Sequence, residues 1–488
     1  MQKAENFDRD GALGLRVNHE RMELRGPSVA IRGTAMASFV NDYTALLTNN
    51  STWNHVSGQA FTAKAVFLTY SFAATKPPLV NGINYEDPNF FRPLTDAEKA
   101  IFREAITTWS SVSGITFFEV GAGLGDIEAG GYLMNNNTAG QGSMPSSGVY
   151  SNNGQLMVFA PGAEPYKGVW LDTRTGMDLH TILHEVGHTL GLEHPHDGTD
   201  PLLATAFDNG ANTVMSYKDF FPRLGPMDVQ AIQALYGTPA QKGTNVASWN
   251  WNQGTQTLTQ TGTGNADILH GTGAHDIVYG GGGRDVIVTK SGNDTIFVVG
   301  KAFQIAAGTG FDTVHTDMVR ADVNTVSRSG SVVSLLPQGA GEWNTLIETE
   351  RVLFRDAALA FDFEGIAGQA YRLYQAAFAR TPDEGGLGFW IRKLDAGAGD
   401  LQWAARGFMA SAEFASKYGQ PGTVSNDAFI SVVYRNVLNR NPDAGGFAFW
   451  NDKIANGMTR DNILANFSES TENKANVAGT INDGIWFT

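Results

Sequence analysis

The sequence predicts a multidomain chain: an α+β domain, then an array of nine-residue turns and short strands, then a small all-α domain. Three observations carry this. Strand-like and helical periodicities fill the chain up to Gly237, aspartates recur at a nine-residue phase between Gly262 and Phe297, and a 60-residue repeat with helical patterning occupies the last 125 residues. At 488 residues the chain exceeds what one hydrophobic core supports, so each periodicity is read as its own folding unit.

Residues 1–50 mix acidic and basic side chains without periodicity and read as an N-terminal arm or pro-segment. The α+β domain is placed at residues 51–242. Residues 64–72 form an apolar strand pattern, and residues 95–112 a helix in which Thr95 and Glu98 make a capping box while Ile101, Phe102, Ala105 and Trp109 share a face. Short strands follow at residues 115–120 and 156–159. A second helix covers residues 178–190 and is stopped by Gly191; a third lies between Pro226 and Gly237. Composition then shifts to Thr, Gln, Asn, Trp and Gly, which sets a boundary at residue 243. The repeat module is placed at residues 243–362 and the helical domain at residues 363–488.

The totals exclude several functions. With 34 basic against 49 acidic residues the net charge is -15, which argues against a nucleic-acid partner and fits a protein that binds cations. Cysteine is absent, so disulfides, thiolate metal sites and cysteine nucleophiles are ruled out. No run approaches the roughly 18 apolar residues of a membrane span, and the first 30 residues hold no apolar stretch of the Sec-signal kind.

The most informative segment runs from His184 to His194, His-Glu-Val-Gly-His-Thr-Leu-Gly-Leu-Glu-His. On a helix, His184 and His188 share a face and present two imidazoles to one ion, with Glu185 beside them. Gly191 can break the helix so that His194 supplies a third nitrogen. Three neutral imidazoles leave a zinc coordination position for a water, whose proton Glu185 can take and later give to a leaving amine. His180 lies one turn earlier but is read as packing or hydrogen-bonding, because three ligands are already supplied; His196 is read as a supporting or loop residue.

This spacing resembles the metzincin clan of zinc peptidases, which carry a Met-containing turn downstream; Val214-Met215-Ser216-Tyr217 stands at the matching place, with Met215 in a structural role. Within the clan the chain is similar to the serralysin family, on His194-Pro195, on the helix end from Ala231 to Gly237, and on the nonapeptide repeats that follow. The resemblance covers roughly residues 60–320 and implies that Tyr217 is a displaceable zinc ligand and a transition-state hydrogen-bond donor. A peptide substrate is expected to lie extended along an edge strand near residues 156–159.

In the nine-residue repeat, Asp267, Asp276, Asp285 and Asp294 hold one phase, Asp312 keeps it after one unmatched unit, and residues 280–288 match the calcium-binding pattern in full. Carbonyl oxygens of turns containing Gly271, Gly273, Gly280 and Gly282, with the aspartate carboxylates, are the hard ligands that calcium prefers. The family resemblance implies a parallel β-roll of the RTX kind, with ions between turns n and n+2 pairing Asp267 with Asp285 and Asp276 with Asp294. The array is imperfect, since Ala274, Thr272 and Thr263 replace glycines, and it is expected to fold only with calcium bound.

Chains with such rolls resemble type I secretion substrates, which implies export through that machinery, a C-terminal secretion signal and an extracellular location. In the last module Tyr374, Arg380, Pro382, Asp383, Gly385, Gly386 and Trp390 recur as Tyr434, Arg440, Pro442, Asp443, Gly445, Gly446 and Trp450. This repeat resembles a bacterial domain found at the ends of secreted and surface-layer proteins, which implies a cell-surface or surface-layer partner. The reading as a whole is a secreted zinc endopeptidase with calcium as second cofactor, acting on extended protein or peptide substrates. The alternative is a non-catalytic surface-layer or adhesion protein that uses the zinc fold and the roll for binding.

Overall fold

The computed structural model describes residues 37–48, 52–54, 64–77, 85–135, 138–145, 149–152, 155–158, 168–196, 200–300, 303–339, 343–420 and 422–488. They form an α+β domain, a parallel β-roll and a helical domain in series. Among the described residues no helix is long and apolar enough to cross a membrane.

The first domain is built on Val66–Phe72, flanked in parallel by Ile115–Glu119 and Ile127–Met134; Gly168–Asp172 extends the sheet in parallel and Gly140–Gly142 ends it antiparallel. Three helices pack with it: α1 (Asp96–Val112), α2 (Leu179–Thr189) and α3 (Pro226–Tyr236). The capping box forms, with Glu98 donating its backbone N–H to Thr95 Oγ1 at 3.3 Å and Thr95 N–H donating to Glu98 Oε2 at 2.7 Å. Phe102, Ala105 and Trp109 of α1 are buried, and the Trp109 indole donates to Leu183 O of α2 at 3.1 Å, which locks the two helices together.

Residues 37–48 are integral to this domain rather than a detached arm. Ala45 and Leu46 sit in its core, Phe39–Val40 pairs in parallel with Leu202–Leu203, and Glu193 N–H donates to Leu46 O at 3.0 Å. Burying these apolar side chains favours docking over a free arm. Residues 1–36 of the expected arm lie outside the described residues.

In the roll, successive nine-residue units alternate between two sheets, so that paired strands lie 18 residues apart, as Ile277 with Thr295 and Val286 with Gln304. Leu269, Val278, Ile287, Ile296, Ile305 and Val314 fill the space between the sheets at one residue per unit. Between Thr316 and Asn344 the hairpin Val323–Ser329 and Val332–Pro337 interrupts the winding, after which Asn344–Ile347 and Arg351–Leu353 resume it. The strand Ile485–Phe487, which the sequence places in the helical module, instead joins the roll, antiparallel to Ala358–Ala360.

The helical module consists of α4 (Ile366–Phe378), α5 (Glu384–Asp395), α6 (Leu401–Met409), α7 (Ala412–Tyr418), α8 (Asn426–Leu438), α9 (Ala444–Ala455), α10 (Arg460–Ser468) and α11 (Thr471–Ile481). Its repeated residues make the same lock twice. Asp383 caps α5 and Asp443 caps α9, each accepting from the glycine three residues on at 2.7 Å, while Arg380 pairs with Glu413 and Arg440 with Glu472. A side chain on Gly386 or Gly446 would strike the hydroxyl of Tyr374 or Tyr434.

Candidate metal centre

Helix α2 begins on Asp178, which accepts from Thr181 N–H at 3.0 Å, and ends where Gly191 takes φ +92° and turns the chain back. Its last carbonyls are held by other elements: the Trp53 indole donates to Thr189 O at 2.7 Å and the Tyr236 hydroxyl to Leu190 O at 2.9 Å. This fixed end carries the chain to His194.

The three histidines expected from sequence converge. Nε2 of His194 lies 3.2 Å from Nε2 of His184 and 3.0 Å from Nε2 of His188. Nδ1 of His184 is 2.9 Å from Val214 O and Nδ1 of His188 is 2.8 Å from Leu192 O. A carbonyl can only accept, so each Nδ1 carries the proton and each Nε2 presents a lone pair inward. The Nε2 lone pairs of His184 and His188 thus face the point that His194 Nε2 also approaches. Tetrahedral zinc ligands, at 2.0–2.1 Å from the ion, stand about 3.3 Å apart, so the donor set fits zinc. Burial pushes the His184 and His188 imidazoles down to about 3, which keeps them neutral as ligation requires.

Glu185 is buried beside this trio, and its Oε2 accepts the Gly142 N–H at 2.6 Å. Burial pushes its carboxyl up to about 8, opposed by that hydrogen bond. Met215 is fully buried beneath the helix, where a side chain on Gly187 would come within 2.7 Å of its sulfur. Tyr217 is 55% exposed, with its hydroxyl 2.8 Å from His194 Nε2. His180 stands apart from the trio: its Nδ1 lies 2.9 Å from Phe221 O and its ring meets Phe220 edge-on. His196 stacks on His194 at 5.5 Å between ring centroids.

Two features of the site escaped the sequence reading. The sheet strand that borders it is Gly140–Gly142, whereas Gln155–Val158 pairs with Val149–Asn152 in a separate two-stranded sheet, so the expected edge strand is corrected. Glycine is needed here because a Cβ at Gly142 would lie 2.1 Å from Glu185 O and one at Gly140 2.8 Å from Glu185 Cγ. The second feature is Asp228 on α3, fully buried, which accepts from the Thr213 hydroxyl at 2.6 Å and from the N–H groups of Val214 and Gly225 at 2.7 Å. It thereby fixes the turn whose Val214 carbonyl orients His184. Asp228→Asn replaces one accepting oxygen by an amino group facing donors; it is expected to lower the unfolding free energy by about 2–3 kcal/mol at pH 7.5, read by denaturant titration.

In the roll, Asp285 Oδ1 accepts the Asp267 N–H at 3.0 Å and Asp294 Oδ1 the Asp276 N–H at 2.8 Å, so aspartates two turns apart stack in the expected pairs. The second column continues: Asp294 N–H donates to Asp312 and Asp312 N–H to Glu350, both at 2.8 Å. Thr263 and Thr272, which replace glycines, each donate their N–H to the aspartate of their own turn. Gly271 and Gly280 wrap the same carboxylates, since Cβ atoms there would lie 2.2 Å from Asp276 Oδ2 and 2.7 Å from Asp285 Oδ2; Gly273 faces the first domain at Asp126, and Gly282 lies beside Gly264.

Comparison with known proteins agrees with this geometry. Residues 86–237 match the family described as Matrixin, residues 261–296 match the RTX calcium-binding nonapeptide repeat in four copies, and residues 405–477 match a domain of unknown function, DUF4214. Relatives include Serralysin G of Dickeya chrysanthemi, 28% identical over 244 residues, covering 43% of this chain and 47% of that protein. Serralysin of Proteus mirabilis is 28% identical over 251 residues, covering 43% and 48%. Matrix metalloproteinase-19 of Mus musculus is 34% identical over 147 residues, covering 28% and 25%. The chain thus spans about half the length of the serralysins it matches. With its zinc-type donor set and stacked aspartates, it carries a Matrixin peptidase domain and RTX calcium-binding repeats, is similar to serralysins over this part, and continues into a helical DUF4214 domain.

Proposed function

We propose that the chain is a secreted zinc-dependent endopeptidase that hydrolyses peptide bonds in extended protein substrates, using Glu185 as proton carrier and Tyr217 as oxyanion donor. The observation that carries it is the convergence of three Nε2 nitrogens on one point, with Glu185 buried alongside. A zinc ion held there supplies Lewis acidity toward a scissile carbonyl and a positive charge that keeps a nearby carboxylate ionised near neutral pH. Glu185 takes a proton from the attacking water as its oxygen bonds to the carbonyl carbon. It passes that proton to the amine nitrogen as the C–N bond breaks. Gly140–Gly142, at the edge of the sheet beside Glu185, offers main-chain groups on which an extended peptide can add as a further strand, independent of its side chains.

Tyr217, half exposed beside His194, can turn its hydroxyl to the developing oxyanion. Tyr217→Phe is expected to lower kcat about 100-fold while leaving zinc bound and KM little changed, as for loss of one oxyanion donor. Steady-state kinetics on a quenched-fluorescent peptide, beside metal analysis, reads this. Casein hydrolysis lost on zinc chelation and restored by added zinc supports the whole reading; a zinc-loaded chain that cleaves neither casein nor gelatin overturns it. The Asp267–Asp285 and Asp276–Asp294 steps are assigned as calcium sites, and the roll as the basis for type I export to the extracellular space. The helical domain is assigned to a surface partner.

A further inference from the structure

Lys290 occupies the position in its nine-residue unit that Gly281 holds in the unit before, and both take the left-handed backbone, at φ +75° and φ +86°. Glycine does this freely and lysine only against steric resistance. The side chain at this strained position leaves the roll. Its ammonium is 3.0 Å from Oδ1 of Asp126 in the peptidase domain, and the two side chains are 10% and 1% exposed. The other oxygen of Asp126 accepts the N–H and the hydroxyl of Thr69, at 2.8 and 2.9 Å, in the strand Val66–Phe72. The same ammonium stands 5.0 Å from the centroid of Trp53, whose indole holds the Thr189 carbonyl at the end of α2.

The backbone of Lys290 belongs to the calcium turn. Its carbonyl accepts the Thr309 N–H at 3.0 Å, and its unit contains Asp294, stacked on Asp276. Asp276 lies close enough to feel the charges of both Lys290 and Asp126. One side chain therefore joins the Asp276–Asp294 step to the strand Val66–Phe72, through Asp126, and to Trp53, which holds the end of the zinc helix.

We propose that Lys290 is a positioning residue that couples calcium at the Asp276–Asp294 step to zinc retention by His184, His188 and His194. This rests on the peptidase domain holding zinc as described above. Without calcium, repulsion between the stacked carboxylates loosens the turn, withdraws the ammonium from Asp126 and Trp53, and frees the end of α2 from which the chain turns to His194. Coupling of this kind is reciprocal, so zinc in turn raises the affinity for calcium.

The test measures zinc loss from the full-length, zinc-loaded chain to an excess of a colorimetric chelator, with and without millimolar calcium. In the wild type calcium is expected to slow zinc loss about tenfold. Lys290→Met and Asp126→Asn should each reduce that response below about twofold, and Lys290→Arg should retain most of it. The double variant Lys290→Met/Asp126→Asn leaves no unpaired buried charge and should still show the calcium-dependent rise in the roll's melting temperature, by circular dichroism, while lacking the response. A wild type whose zinc loss ignores calcium, a folded single or double variant with the full response, or a double variant whose roll fails to fold in calcium would each overturn the proposal. Zinc loss is read without substrate, so a zinc-loaded wild type that hydrolyses nothing sinks the peptidase reading alone.

Discussion

Glu185→Gln is expected to reduce kcat/KM for peptide hydrolysis by about 1,000- to 10,000-fold while leaving one zinc per chain, because it removes the proton carrier but none of the three imidazoles. That loss corresponds to about 4–5 kcal/mol of transition-state stabilisation. Glutamine keeps the size of the side chain and can still accept the Gly142 N–H that Glu185 Oε2 accepts at 2.6 Å, so the local fold should survive. The pairing of results is what discriminates. Loss of zinc together with activity would make Glu185 a structural support of the trio, and retention of activity would remove it from the chemistry. Metal analysis and peptide kinetics on the same preparation give both numbers.

Removing calcium is expected to have the second largest effect, on the roll. Asp276, Asp285, Asp294 and Asp312 are all at most 2% exposed. Burial pushes Asp285 up to about 6 and Asp312 up to about 8, and burial with mutual repulsion raises the Asp276–Asp294 pair. Carboxyls whose folded pKa lies above the unfolded value of about 3.9 favour folding at low pH, and that stability is lost as pH rises through 6 to 8. The calcium-free roll should therefore melt at a lower temperature at pH 8 than at pH 5. Calcium reverses this by replacing protons as the counter-charge. In zinc-containing buffer at pH 8, calcium at about 100 times its Kd on two sites should raise the roll's melting temperature by on the order of 15 °C, and by less at pH 5. Circular dichroism melts at both pH values check it; equal melting with and without calcium at pH 8 would contradict it.

What was legible in the sequence follows from how local each signal is. His184, His188 and His194 lie within eleven positions of one helix and its turn, so spacing alone brought them together, and the structure sets His194 Nε2 at 3.0–3.2 Å from the other two. The edge strand Gly140–Gly142 was illegible because it has neither apolar alternation nor β-branched residues; its glycines answer to Glu185, which meets Gly142 across 43 positions. Asp228 was illegible because no spacing rule links it to Thr213 and to the Met-containing turn at Val214, its partners 15 and 14 positions away.

In the roll the aspartate phase marked the turns whose carboxylates stack but not the winding. The unit at residues 298–306 lacks the aspartate yet still pairs in register through Phe303–Ala306, because the inward apolar residue, here Ile305, is what the stack requires. Glu350 escaped notice because the inserted hairpin broke the nine-residue count before it. The last strand, Ile485–Phe487, reads as a tail in sequence and becomes a strand only because Ala358–Ala360 offers it an edge.

X-ray absorption at the zinc K-edge of the full-length protein tests the central claim most directly. The account predicts three imidazole nitrogens at about 2.0–2.1 Å with one or two light-atom neighbours from solvent or Tyr217, and loss of this shell in His188→Ala. A closed shell of four protein nitrogen or carboxylate ligands, or a zinc environment unchanged in His188→Ala, would contradict it.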